Sequence, residues 1–124
     1  MWIFTRYGFY SIACANKAGS GGIDPNTVMV RSRLKEHLLN LQDRFKDTAI
    51  AKLSIGDSTH TDYRYRIVMP KADWVAALSE MATEQTWSNF KNESATFARI
   101  HKLSTRYVHA LHDIWDVMFR LQAR

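Results

Sequence analysis

A single cysteine, two prolines and five glycines are spread over 124 residues, and each scarcity excludes something. Cys14 has no internal partner, so the chain is not a small disulfide-stapled scaffold, and a reducing, cytoplasmic location is expected. No stretch approaches the roughly eighteen apolar residues of a membrane-spanning helix. Ala13-Cys14-Ala15 has the small residues of a cleavage site, but Arg6 interrupts the apolar run a leader needs, so export is not expected. No HExxH sequence occurs. Gly19-Ser20-Gly21-Gly22 lacks the lysine and following hydroxyl of a phosphate loop. His109, His112, Asp113 and Asp116 fall at helical spacings, yet no third ligand stands at a convincing local distance. Neither a metal nor a cofactor is therefore expected.

What is present suits one compact domain over residues 1–124. The chain is 46% hydrophobic and 23% charged, and a domain of this length buries about two-thirds of its unfolded surface. Seventeen Lys and Arg oppose twelve Asp and Glu, for a formal charge of +5 and a pI near 9.6. Ten of the seventeen are arginine, whose planar five-donor fork matches phosphate and carboxylate, so an anionic partner is indicated.

Hydrophobic periodicity orders the elements. Residues 1–15, rich in aromatic and β-branched types, read as extended chain bent at Gly8. Residues 16–26 hold three of the glycines and one proline and read as a flexible loop. Residues 27–32 alternate as a strand, placing Met29, Arg31 and Arg33 on one side and Val28, Val30 and Ser32 on the other. Leu34, Leu38, Leu41 and Phe45 then form the stripe of a helix. Residues 49–55 read as a third strand, 56–61 as a turn and 63–69 as a fourth strand, after which Pro70 opens a helix to about Glu84. The pattern fades between Gln85 and Arg99. A long final helix over about 100–121 carries Leu103, Tyr107, Leu111, Ile114, Met118 and Leu121. The order predicts an α+β two-layer sandwich of ferredoxin-like character: a four-stranded, mainly antiparallel sheet with helices on one face.

The opening MWIFTRYGFYS, TDYRYR at 61–66, SNFK at 88–91 and the closing YVHALHDIWDVMFRLQ together resemble an uncharacterised bacterial family of small hypothetical proteins. The resemblance spans most of the chain outside the glycine-rich loop. It implies a compact cytoplasmic protein whose first residues are structural, and it assigns no catalytic residue.

Three groups are candidate sites. Arg31 and Arg33 share one strand face and Arg64 and Arg66 another, so the four, with Arg6 and Tyr7 nearby, line an exposed sheet face suited to RNA or DNA phosphates. The competing reading is that alternating arginines only solvate the outer face. His60, Asp62 and Tyr63, on a loop before a strand, form the one cluster suited to acid–base chemistry, as in a small-molecule-binding or enzymatic domain with a pocket between sheet and helices. Val108, His112, Trp115 and Phe119 form a second stripe on the last helix, a surface for a protein partner, with a homodimer as its default form.

Overall fold

The computed structural model describes residues 1–19 and 21–122. They form an α+β fold whose strands are β1 (Trp2–Thr5), β2 (Gly8–Asn16), β3 (Ile23–Ser32), β4 (Gly56–Asp57) and β5 (Tyr65–Pro70). The helices are α1 (Lys35–Arg44), α2 (Lys71–Thr83), α3 (Phe90–Ile100) and α4 (Arg106–Phe119). One antiparallel sheet runs in the order β1-β2-β3-β5-β4. The chain divides into two compact units: Met1–Phe4 with Gly8–Gln85, and Thr5–Tyr7 with the segment from Thr86 onward. No helix among the described residues is long and apolar enough to cross a membrane.

Alternation along the strands builds the core of the first unit. Tyr10, Ile12, Val28, Val30, Ile67 and Met69 are buried on one sheet face, because successive side chains point to opposite sides. Against them α1 sets Leu38 and Leu41, followed by Phe45, and α2 sets Trp74, Ala77 and Met81. Each of the larger side chains contributes about 1.5–3 kcal/mol by leaving water. The four-stranded expectation is corrected to five strands, and the strand expected over 49–55 is absent. Residues Ala49–Lys52 are instead a short 3-10 helix, capped where the Thr48 hydroxyl accepts from the Ile50 N–H. The Gln42 side-chain amide donates to the carbonyls of Ile50 and Leu53 at 3.1 and 2.7 Å, taking acceptors that a sheet ladder would need. The extra strand at this edge is Gly56–Asp57, inside the expected turn.

At the other edge, residues 1–15 are two strands. Gly8 has φ of +154°, and a Cβ there would lie 2.3 Å from His37 Cγ, so only glycine permits both the backbone and this approach. The loop expected over 16–26 contracts to 17–22, closed by the Lys17 N–H to Gly22 carbonyl bond at 2.7 Å. Gly19 and Gly21 have positive φ there, and Ser20 lies outside the described residues. β3 absorbs its extra residues beside a register shift at Cys14 and Ala15, where the Asp24 carboxylate accepts from Asn26 N–H and the Thr27 hydroxyl.

The second unit corrects the long last helix. α3 occupies the stretch where the pattern fades; its start is capped by the Asn89 side chain, which accepts from the Asn92 N–H at 3.0 Å. It ends at Ile100 because Lys102 takes φ of +54°, Leu103 N–H bonds the Ala98 carbonyl at 2.8 Å, and Lys102 N–H bonds that of Arg99 at 3.3 Å. These two bonds form a Schellman motif. A lysine stands where glycine is the usual residue, which hides the helix end from the sequence. α4 then spans 14 residues, with Leu111 buried and Tyr107 and Ile114 half-buried.

Candidate anion-binding face of the sheet

α1 and α2 occupy one side of the sheet, and the alternation that turns Val30, Ser32 and Ile67 toward them turns their neighbours to the other side. Antiparallel register sets Ser11 against Arg31, Arg31 against Arg66, and Arg66 against Gly56 in one row across four strands. Two like charges thus stand directly opposite each other, an arrangement that is destabilising unless something neutralises it. Among the described residues no carboxylate lies within ion-pairing distance of Arg31 or Arg66.

Neutral groups and one aromatic ring hold these guanidiniums. Arg31 donates through a terminal nitrogen to the Ser11 hydroxyl at 3.0 Å, and Arg66 donates to the Thr61 hydroxyl at 2.7 Å and the Tyr63 carbonyl at 3.1 Å. The Tyr63 ring lies 4.9 Å from the Arg31 guanidinium and 4.3 Å from that of Arg33. With both guanidiniums over its ring, Tyr63 is only 5% exposed. Arg33 reaches one carboxylate, Asp62, at 3.5 Å on the exposed surface, and an exposed pair of that length contributes little. Three positive charges therefore converge on Tyr63 with weak compensation.

The face also carries aromatic residues that the sequence pattern does not single out. Phe9 lies 5.8 Å from Trp2, 4.7 Å from Phe4 and 6.4 Å from Tyr63 between ring centroids. A continuous run of rings thus leads from the edge strand to the arginines. The available signal is the alternation of Trp2 and Phe4 with Ile3, obscured when residues 1–15 are read as one strand, because the turn at Arg6 and Tyr7 resets the phase.

The remaining candidate residues are dispersed. Arg64 is committed to Asp57, with its Nε 2.8 Å from one carboxylate oxygen; this neighbour holds the Asp57 carboxyl below its ordinary value and raises the Arg64 guanidinium. Arg6 and Tyr7 belong to the second unit. There Arg6 pairs with Glu93 at 2.8 Å and lies 4.8 Å from the Trp87 ring, while Tyr7 meets Phe97 edge-on at 5.1 Å. His60 and Asp62 are exposed and Tyr63 is buried, and no hydrogen bond among the described residues joins their side chains. A cavity of about 140 Å³ is lined by Phe45, Thr48, Ile50, Asp73, Ala77 and Glu80, among others, and holds none of the three. Among the described residues no cluster of His, Cys, Asp or Glu is placed to bind a metal.

In the second unit Tyr107 donates to the Thr5 carbonyl at 2.7 Å, and burial raises its phenol well above the ordinary value. Of the expected interface, Val108 is half-buried and His112 exposed. Trp115 and Phe119 stack at 5.0 Å and remain about half exposed, and the Lys91 ammonium sits 4.5 Å from the Trp115 ring.

One further residue escapes the sequence pattern. His37, beside the leucine stripe of α1, is buried. Its Nδ1 accepts from the Phe9 N–H at 3.2 Å, and its carbonyl accepts from the Tyr10 hydroxyl at 2.6 Å. Burial pushes its pKa from 6.5 down to about 4, so at neutral pH it is an uncharged element tying α1 to β2. No protein-family model, curated protein or solved structure matches the chain.

Proposed function

We propose that the protein is a non-enzymatic binding module whose outer sheet face, through Arg31, Arg33 and Arg66, takes the phosphates of a nucleic acid. The observation that carries this reading is the juxtaposition of Arg31 and Arg66 in strand register, with no carboxylate among the described residues within ion-pairing distance of either. A phosphate accepting from both would relieve their repulsion and gain charge-assisted hydrogen bonds. The net charge of +5 favours the encounter.

The test is a salt-dependent titration of a labelled oligonucleotide by anisotropy. Three phosphate contacts give a slope of log affinity against log salt of about −2 for a single strand, and Arg31→Ala makes it shallower by about 0.7. Arg64→Ala is the control, since Asp57 already engages that side chain. A salt-independent affinity, or equal losses from Arg31→Ala and Arg64→Ala, would count against this face.

A second reading, self-association through the C-terminal half of α4, is favoured by one observation. Trp115, Met118 and Phe119 are each about half exposed on one side of the helix, an apolar concentration of the kind found at interaction surfaces. The partner it most simply fits is a second copy of the same helix.

A further inference from the structure

We infer that the arginine face selects single-stranded over duplex nucleic acid because Trp2 offers a base-stacking ring beside the phosphate-binding arginines. This deepens the nucleic-acid reading above and rests on it.

The rings on this face are not equivalent. Tyr63 is closed to a ligand, because the Arg31 and Arg33 guanidiniums already lie over it and it is 5% exposed. Phe4 and Phe9 are half-buried against each other. Trp2 is 69% exposed and touches Phe9 at an interplanar angle of 84°, so Phe9 braces its orientation while leaving most of the indole in solvent. The exposed indole stands on the edge strand β1, where leaving its apolar surface in water carries a hydration cost. As a stacking platform it has a use.

Spacing links this ring to the charges. Adjacent strands lie about 4.8 Å apart, so a path from β1 to β3 crosses about 10 Å and one to β5 about 15 Å. A nucleotide whose base rests on Trp2 therefore has its backbone directed across β2 toward Arg31, with Arg66 available to the next phosphate. Only unpaired bases expose a face to such a ring. In a duplex the base faces are stacked on each other and the protein meets phosphates and groove edges alone. Arginines by themselves would serve either form; the adjoining indole is what discriminates.

Anisotropy with a labelled eight-nucleotide oligouridine, the matching oligothymidine and a duplex of the same length tests the assignment on the full chain. Wild type should bind the single strands more tightly than the duplex. Trp2→Ala should weaken single-strand binding about tenfold or more with an unchanged salt slope, while Trp2→Phe retains most of the affinity. Arg31→Ala should instead make the slope shallower. Because Trp2 is mostly exposed, circular dichroism and thermal melts of Trp2→Ala should match wild type. Duplex bound as tightly as the single strands, or Trp2→Ala binding like wild type, overturns the stacking role while the arginine slope still supports the phosphate site. No binding of any of the three probes at low salt overturns both.

Discussion

Acidification from pH 7 to pH 5 should remove a substantial part of the stability of the sheet unit, through one histidine. Burial holds the pKa of His37 at about 4 against 6.5 in an unfolded chain. The folded state needs the neutral ring, since Nδ1 accepts the Phe9 N–H and a proton there would set donor against donor. Between pH 6.5 and 4 the unfolded chain binds the proton and the folded one does not, so stability falls as pH falls through that window and is fully present above it. At 1.36 kcal/mol per pKa unit the whole contribution is about 3 kcal/mol, of which about 2 is lost between pH 7 and pH 5. Against the 5–15 kcal/mol typical of a domain this is a large fraction. Urea unfolding followed by circular dichroism at pH 7, 6 and 5 measures it, and the His37 ring signals by NMR should titrate near 4. Asp24, held low by the Asn26 N–H, and Asp57, held low by Arg64, also lose stabilisation on acidification, but chiefly below pH 4. A free energy of unfolding that stays flat from pH 7 to 5, or a slope that persists in His37→Gln, would refute the reasoning.

Gly8→Ala should destabilise the protein by about 3 kcal/mol, combining overpacking against His37 with an unfavourable positive φ; a thermal melt indistinguishable from wild type would contradict the close approach of β2 to α1. If α4 self-associates, multi-angle light scattering of wild type should give twice the chain mass at micromolar concentration, and Trp115→Ala with Phe119→Ala should shift it to the monomer. A wild-type monomer at high concentration would reject that reading.

Local rules acted reliably where one residue type had one physical reason. The leucine spacing from Leu34 to Phe45 specified α1, because only a helix places those residues on one stripe. The alternation of Val28 and Val30 with Met29 and Arg31 specified which way β3 faces, and that of Ile67 and Met69 with Arg66 and Val68 did the same for β5, whereas Tyr63, just before the strand, lies under Arg31 and Arg33 on the other face. The α+β class, a helix-covered face and an opposite face bearing Arg31 and Arg66 were therefore legible in the sequence. Other features depended on partners distant along the chain. Residues 49–55 have strand-forming composition, but the Gln42 amide captures their carbonyls. Lys102 adopts a glycine-like backbone because the bonds to Ala98 and Arg99 hold it there. That Arg31 meets Arg66 in register, that Tyr63 closes over by stacking under two guanidiniums, that Arg64 is taken by Asp57 and Arg6 by Glu93, and that His37 is buried were all decided by the tertiary structure. Periodicity states which side of its own element a residue occupies; strand order and register determine what stands opposite it, and an arginine's chemistry depends on whether that neighbour is a carboxylate, a ring or another arginine.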